Sequence, residues 1–585
     1  MLKNLPRSPF VCFFALSILG LLPATCWAQL PSGYRQPTAI TFDQSEQKLL
    51  LANAKSGSVS VVDIPTQKIV ETKMGKSIRD IVLLQNSNFL CVDFHQHELM
   101  EFGLDNNDQV KIVARTSVER YPQCIAVNDD QTLAFVSSLW SRRITCLHRG
   151  APGQPFQKLK HIDFDFAPRE MVYLAADEKL VVADNFNGKL AVVDCNKLEI
   201  ESVHNTSGHN FRGLGLTQDG QTIVVANQML NELAHTSRND IHWGLLMSND
   251  LRWIEKDAFL TQDSELYKSS HMHPLGKEDH AAGDPGRLAI AKDKTVVVTI
   301  SGTNEVAFGK EDDFWLKRHT VGKRPVDVVI DSNSQFAYIA NAHDDSVSVF
   351  DLKQEKVTGS WPLGKQRELT AIEKGEQLFF DASLSHDGWM SCHSCHTDGH
   401  TNGGLNDNFT DGSFGAPKMV LSLLGRRGTE PLAWNGLTKD FETQVKNSIT
   451  STMKSKDDPD QKTVDLLAGY LRTLKAPPSL AAARDELDAN KVAAGKKIFE
   501  VIGCAACHKA PLYTSPEVYD VGFEDEENNT EFNPPSLLGV SQRNAYFHDG
   551  RAKTLEEVVG KFKHKVRPDT SEADLKLLIQ FLRSL

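Results

Sequence analysis

The pattern of apolar and polar positions divides the chain into two parts. From about Pro37 to Gly364, short runs rich in Val, Ile and Leu alternate with Gly, Asn and Asp turns, a pattern typical of β-strands. From about Leu369 onward, helical segments are separated by long loops. We therefore predict a multidomain protein of 585 residues, with an all-β part followed by a mainly α-helical part.

The β part repeats itself. One unit begins at Pro37 and reads PTAITFD, KLLLANA and SVSVVD, and the last unit begins at Pro325 and follows the same order. Most unit starts are 40–46 residues apart, and each unit holds four strands, which predicts a seven-bladed β-propeller over 37–364. The Ala-Asn after the second strand resembles the YVTN-type propeller family. A β-helix is the alternative, but its repeats are shorter. The weaker unit starts fall near Ser77, Pro122, Pro168, Arg212 and Pro285.

The fifth unit contains an insertion at about 228–284, because its start and the next start are 73 residues apart. We expect a polar loop with solvated histidines, and a lid, a metal site or a partner site is the alternative. The insertion carries five histidines and two tryptophans: His235, His242, Trp243, Trp253, His271, His273 and His280.

The first 28 residues have the pattern of a secretory signal. Lys3 and Arg7 precede an apolar core from Phe10 to Leu22, and small residues precede a cleavage site expected after Ala28. A retained anchor is the alternative, since the apolar run is short for a membrane span. We expect a periplasmic mature protein with no membrane span. The net charge is −12 with mixed signs and no basic run, so nucleic-acid binding is not expected.

Two C-x-x-C-H motifs lie in the helical part. Two thiols at this spacing can each bond one vinyl group of a porphyrin, and the adjacent histidine can ligate its iron. A redox dithiol or half a zinc site is the alternative, but two copies in an exported chain favour two covalently bound haem c groups. The motif residues are Cys392, Cys395 and His396 in the first copy and Cys504, Cys507 and His508 in the second. The remaining cysteines of the mature chain are free to pair or to remain buried thiols: Cys91, Cys124, Cys146 and Cys195.

The helical part is duplicated. A Ser-Leu-Leu-Gly sequence at 422–425 follows the first motif, and the same sequence at 536–539 follows the second. We predict a first cytochrome c domain at 369–476 with the peroxidatic haem and a second at 485–585 with the electron-transfer haem. The Pro-containing stretch 476–479 joins them.

These residues carry a family resemblance. The stretch 375–392, GEQLFFDASLSHDGWMSC, resembles the first half of the bacterial di-haem cytochrome c peroxidases, a family that includes di-haem enzymes maturing a tryptophan cofactor. The stretches 535–537 and 546–551 resemble the second half, and the propeller is not part of the basic family. The resemblance implies that the first haem meets hydrogen peroxide. It implies that the second relays electrons from a small donor protein of the cytochrome c or cupredoxin type.

The resemblance also implies roles for single residues. It makes His396 and His508 the proximal ligands. Glu442 matches the distal glutamate by its place after the Trp-x-Gly turn, where a carboxylate can shuttle the peroxide proton, and a solvated helix residue is the alternative. Trp434 of that turn could pack on a haem, lie between the haems or pack in the core.

The chain departs from the family pattern. Met453 is its last methionine, so the second fold has no methionine to ligate its iron. The family places that ligand near Phe562, and His564 or His548 could serve instead. The calcium ligand of the family has no counterpart at 414–417, so Ca²⁺ is possible but unsupported by the sequence.

The first haem lacks a clear counterpart of the family's resting-state histidine. His400 lies only four residues after His396, so we expect an open first pocket, with Met390, Met419 or Met453 as other possible ligands. We predict a periplasmic peroxidase that reduces hydrogen peroxide, or one that uses it to oxidise a protein or small substrate. The alternatives are a non-catalytic electron-transfer protein with the propeller as a docking module, and a catalytic propeller.

Overall fold

The computed structural model describes residues 33–262, 265–268, 270–409 and 412–585. Seven four-stranded antiparallel sheets are followed by helical segments, so the predicted fold class is confirmed. The expected signal segment, 1–28, lies outside the described residues. Among the helices of the described ranges, none combines the length and the apolar character that a membrane crossing requires.

Each sheet is one blade, built from four strands that follow one another in the chain. The first strands of neighbouring blades contact one another, and β1 contacts β25, so the ring closes between the first and last blades around a central channel. The strands are β1–β4 (Pro37–Phe42, Lys48–Asn53, Ser58–Asp63, Ile69–Lys73), β5–β8 (Ile78–Leu83, Phe89–Asp93, Glu98–Leu104, Val110–Ser117), β9–β12 (Pro122–Val127, Leu133–Ser138, Arg143–His148, Gln157–Asp163), β13–β16 (Pro168–Leu174, Lys179–Asp184, Lys189–Asp194, Glu199–Asn205), β17–β20 (His209–Leu216, Thr222–Leu230, Met247–Glu255, His271–Pro274), β21–β24 (Pro285–Ile290, Val296–Ile300, Glu305–Gly309, Lys317–Thr320) and β25–β28 (Pro325–Ile330, Phe336–Asn341, Ser346–Asp351, Lys356–Pro362).

The Ala-Asn signature of the blades has a packing role. In blade 1 the side-chain amide of Asn53 donates to the hydroxyls of Ser58 at 3.0 Å and Ser60 at 2.8 Å. In blade 7 the equivalent Asn341 donates to two serine hydroxyls at 3.0 and 2.9 Å. All these groups are buried, and an unpaired buried polar group destabilises a fold. In these two blades the asparagine amide N–H groups are therefore paired with serine hydroxyls inside the sheet.

The predicted insertion builds part of blade 5. It supplies β19 and β20 and two short helices, α1 (Arg238–His242) and α2 (Lys256–Leu260). Ile241, Leu246 and Met247 are fully buried and belong to the same apolar core as residues of the first helical unit. The expectation of a solvated polar loop is therefore wrong for this part of the segment, because its apolar residues pack against the helical half.

The helical half contains paired long helices around each motif. A π-helical turn follows the helix Phe441–Asn447, and a second one, Glu557–Lys561, precedes the helix Glu572–Ser584. Two short strand pairs, β29–β30 (Leu405–Asn406, Lys418–Met419) and β31–β32 (Tyr519–Asp520, Glu531–Phe532), lie in the loops. The helices are α3 (Ala371–Phe379), α4 (Cys392–Cys395), α5 (Phe441–Asn447), α6 (Gln461–Leu471), α7 (Leu480–Ala483), α8 (Ala489–Val501) and α9 (Glu572–Ser584).

The duplication is visible in two matched helix crossings. Gly375 on α3 faces α6, and a Cβ at this position would lie 2.1 Å from the carbonyl oxygen of Leu466. Gly495 on α8 faces α9, and a Cβ there would lie 2.0 Å from the carbonyl oxygen of Leu577. Only glycine permits such a close approach of backbones. A Gly-x-x-x-Phe pattern, at Gly375–Phe379 and again at Gly495–Phe499, therefore marks the same crossing in both units.

Within the described residues, the cysteines outside the motifs are unpaired. Of the two alternatives that the sequence left open, the structure shows buried free thiols at Cys91, Cys124, Cys146 and Cys195.

Candidate haem centres

The first C-x-x-C-H motif is held by the propeller. The Ser391 side chain caps α4 by accepting a hydrogen bond from the backbone N–H of His393 at 3.0 Å. The hydroxyls of Ser391 and Ser394 donate to the buried carboxylate of Asp284, which lies directly before β21, and the second bond is 2.7 Å long. The motif borders a cavity of about 210 Å³, lined by Cys392, Cys395 and His396.

The histidines of both motifs are oriented for metal binding. His396 Nδ1 donates to the carbonyl of Leu421 at 2.8 Å, and His508 Nδ1 donates to the carbonyl of Tyr513 at 3.1 Å. Burial lowers the pKa of each imidazole to about 4. Each ring is therefore neutral at pH 7, and the lone pair of its Nε2 is available for a metal.

The second motif borders a separate cavity of about 180 Å³, lined by Cys504, Cys507, His508, His548 and His564. His564 Nδ1 is buried and has no hydrogen-bond partner, and burial lowers the pKa of the ring. Burial is the main cause that lowers the pKa of His508, and the charge of His564 lowers it further. Both rings line the same cavity. The His548 ring stacks on Phe532 at 4.2 Å instead.

The residues present fit two c-type haems. A redox dithiol needs a thiol whose pKa is lowered, whereas burial raises the pKa of Cys392 and Cys395 to about 12 and that of Cys504 to about 11. Each cavity combines a thiol pair, a neutral imidazole and mainly apolar walls. The second also contains the unpartnered buried nitrogen of His564.

The two cavities share a wall. Trp434 lines both of them, and so do residues 419–422. The indole N–H of Trp434 donates to the carbonyl of Met419 at 2.8 Å, which holds the ring in this position. Of the three roles considered for Trp434, the structure supports a place between the two centres.

Glu442 lies away from the first cavity. Both of its carboxylate oxygens accept hydrogen bonds of 2.6 Å from Arg472, and about a third of each side chain is exposed. The Arg472 hydrogen bonds lower the pKa of Glu442. The carboxylate is therefore an ionised partner of an arginine near the surface, and the structure does not bring it to the motif.

The opposite face of α5 borders the cavity. Phe441, Gln444, Val445 and Ser448 line it, at the i, i+3, i+4 and i+7 spacing of one helix face. Glu442 lies two residues before Gln444, and its side chain is outside this face. Among the described residues that line this cavity, none is an aspartate or a glutamate. Sequence reasoning missed Gln444, because helical spacing groups residues on one face but does not show which face of α5 meets the cavity.

The other possible ligands of the first haem iron are three methionines and His400. Met390, Met419 and Met453 all line the cavity. His400 does not, because its ring is held between the Ser422 hydroxyl at 2.9 Å and the Gln542 carbonyl at 3.0 Å.

Residues 414–417, where the family would place a calcium ligand, come directly before Lys418. The Lys418 ammonium contacts the carbonyl of Ala416 at 3.0 Å and the buried carboxylate of Asp525 at 3.2 Å. A cation of the protein therefore already neutralises this carboxylate.

Several histidines of the insertion pair with acids. His235 lies 3.3 Å from the carboxylate of Asp407, and His280 lies 3.0 Å from that of Glu305. His273 accepts a hydrogen bond from the indole of Trp253 at 2.9 Å, and His271 lies next to it and is exposed. The insertion thus contacts the helical half but places none of these rings in either haem cavity.

One group of side chains has the spacing of a metal-binding site. Single ligand atoms of His242, His386 and Asp387 lie within 4.8 Å of one another. The ammonium of Lys456 lies 2.9 Å from the same Asp387 carboxylate. A protein cation therefore already balances the acid at this position.

A buried histidine makes the interface sensitive to acid. His209 Nε2 donates to the carbonyl of Ser394 at 3.0 Å, and burial lowers the pKa of His209 to about 4. The unfolded chain, with a histidine pKa near 6.5, binds the proton first as the pH falls. Stability is therefore complete above about pH 6.5 and falls toward pH 4, by about 2 kcal/mol for this group at pH 5. We expect unfolding of His209→Gln to take up about one proton fewer than unfolding of the parent protein near pH 5, measured from denaturation at pH 5 and pH 7. An equal slope in both proteins would contradict this assignment.

Comparisons with known proteins agree with the geometry. Residues 370–486 match the model of the family described as di-haem cytochrome c peroxidase. Cytochrome c551 peroxidase of Nitrosomonas europaea is 24% identical over 271 residues, covering 36% of this chain and 79% of the relative. Hydrazine synthase subunit gamma of Kuenenia stuttgartiensis is 24% identical over 298 residues, with 38% and 84% covered. The methylamine utilization protein MauG of Methylophilus methylotrophus is 25% identical over 252 residues, with 34% and 75% covered. Residues 370–486 are thus similar to the di-haem cytochrome c peroxidases, and a seven-bladed β-propeller precedes them.

Proposed function

We propose that the chain is a periplasmic di-haem c-type oxidoreductase. One centre reacts with hydrogen peroxide, and the other receives electrons from a small donor protein or from a substrate that is oxidised. The observation that carries the proposal is the pair of C-x-x-C-H cavities with a shared wall of Trp434 and residues 419–422. This wall would place two bound redox groups next to each other, so that electrons could pass between them.

Each centre has its own set of ligands. Haem bound in these cavities would supply redox-active iron. His564 would be an additional ligand for a haem iron in the second cavity, while the described part of the first cavity offers no histidine besides His396. We therefore assign the reaction with peroxide to the first centre and electron relay to the second. The attachment residues are Cys392, Cys395 and His396 for the first haem and Cys504, Cys507 and His508 for the second.

Gln444 and Ser448 are the groups proposed to hold the oxidant. Gln444 Nε2 donates to the Ser448 hydroxyl at 3.2 Å, while its buried Oε1 has no hydrogen-bond partner. That oxygen can accept a hydrogen bond from a peroxide O–H, but an amide cannot take up the proton at neutral pH. The chain would therefore position peroxide with an amide and exchange protons through water, which predicts slower turnover than a carboxylate would give.

A second candidate function is electron transfer without peroxide chemistry. The absence of a carboxylate among the described residues of the first cavity favours it. In this case the propeller would serve as a docking module.

Mixing the fully reduced holoprotein with hydrogen peroxide in a stopped-flow instrument separates the two functions. The proposed function predicts that both haem spectra become oxidised, the second after the first, and that peroxide is consumed. Failure of peroxide to oxidise either haem, while a small donor cytochrome still exchanges electrons with the protein, would contradict the peroxidase proposal and support electron transfer.

A further inference from the structure

A third cavity, of about 470 Å³, lies where the central channel of the propeller meets the helical half. Its walls come from the first strands of the blades and from Glu376, His393, Asp398 and Tyr470 of the helical half. Five blades each contribute an arginine at or directly before their first strand: Arg79, Arg169, Arg212, Arg287 and Arg324.

Three of these arginines are neutralised by the protein. Arg169 and Arg212 both contact the carboxylate of Asp398, at 3.2 and 2.9 Å. Arg287 contacts three carboxylates, the nearest being Asp80 at 2.9 Å. These ion pairs explain why part of the ring is stable without a ligand.

The other two arginines lack such partners. The Arg79 guanidinium lies over the Phe94 ring at 5.0 Å, and its buried Nε has no hydrogen-bond partner. The Arg324 guanidinium lies over the Phe380 ring at 3.4 Å and contacts His343 Nε2 at 3.2 Å. Neither has a carboxylate within 4.0 Å in the described part of the chain. Burial, followed by the positive charge of Arg169, lowers the pKa of Arg79 to about 10, and the charges of Asp398 and Glu376 oppose this shift.

The charge of the cavity is unbalanced and its mouth is open. Seven arginines and lysines line it against four aspartates and glutamates, and two further acids outside the lining, Asp80 and Asp327, contact Arg287. Lys55, Lys76 and His95 belong to the lining and are exposed, which indicates an opening to solvent beside blades 1 and 2. A buried cation without a partner is costly, and a guanidinium presents donors in a fork that matches carboxylate and phosphate oxygens.

We propose that the central cavity is a binding site for a small organic anion with carboxylate or phosphate groups, held by Arg79 and Arg324. The volume falls in the range of small-molecule sites. Phe94 and Phe380 provide apolar contact beside the two cations. The site is separate from both haem cavities, so the proposal does not depend on the proposed redox function.

The test is a titration of the intact holoprotein with inorganic phosphate and with citrate, by calorimetry and thermal melting at constant ionic strength. We expect a saturable rise in melting temperature with at least one of the two anions. Tighter binding of phosphate identifies a phosphate ligand, and tighter binding of citrate identifies a carboxylate. Arg79→Gln and Arg324→Gln should each raise the dissociation constant about tenfold or more.

Arg115→Gln is the matched control, since Arg115 lies on the outermost strand of the same blade as Arg79 and pairs with Glu98. It should leave anion binding unchanged. Without a ligand, Arg79→Gln should be at least as stable as the parent protein, because Arg79 has no carboxylate partner in direct contact to lose. The proposal is overturned if neither anion binds, if the control weakens binding as much as Arg79→Gln, or if ligand-free Arg79→Gln melts several degrees lower than the control.

Discussion

Replacing His564 by alanine is expected to change the oxidised second haem from low spin to high spin. The His564 imidazole lines the second cavity near His508, and its buried Nδ1 has no other partner. Two imidazoles on one iron give a six-coordinate centre, and removal of one opens a coordination position. Low-temperature electron paramagnetic resonance should show one low-spin signal lost and one high-spin signal gained. The variant should also bind azide at the second iron.

His548→Gln is the control for this experiment. His548 lines the same cavity, and its Nε2 is also buried without a partner, but its ring stacks on Phe532. We expect the low-spin signal to remain in this variant. Loss of the signal in His548→Gln and its retention in His564→Ala would show that the structure-based choice between the two histidines is wrong.

Gln444→Glu is expected to increase peroxide turnover by about a hundredfold. The substitution places a carboxyl group on the face of α5 that borders the first cavity, where the described lining has no acid. A positioned general acid–base group contributes about 10²–10⁴-fold to such proton transfers. The rate should also acquire a dependence on pH from the new carboxyl, which the parent protein lacks. Steady-state peroxide consumption over a pH series measures both effects.

Glu442→Gln is the matched control on the same helix. It removes an existing carboxylate whose two oxygens bind Arg472. Because this pair is partly exposed, we expect unchanged turnover and a loss of stability of less than about 1 kcal/mol. If Glu442→Gln abolished turnover without haem loss and Gln444→Glu had no effect, the distal role implied by the family resemblance would hold.

The different positions of Glu442 and Gln444 show why a family motif alone does not identify the side chain that borders the cavity. Glu442 was selected by its distance from the Trp-x-Gly turn, which is a position along the chain. The side of α5 that meets the cavity depends on how the helix packs: Phe441 and Val445 are buried in the core, and Glu442 pairs with α6 through Arg472. A shift of two positions turns a side chain to the opposite face of a helix.

The sequence by itself determined the features that depend on short stretches of residues. The seven repeats, the two C-x-x-C-H motifs and the two Gly-x-x-x-Phe helix starts each lie within a short stretch, because strand periodicity, thiol spacing and helix starts depend on nearby residues. Tertiary structure alone decided which residues from distant stretches meet. Trp434 between two cavities and Arg79 beside Arg324 in one channel result from blade and helix packing. No local pattern contains that information, because contacts between residues hundreds of positions apart depend on the arrangement of whole elements.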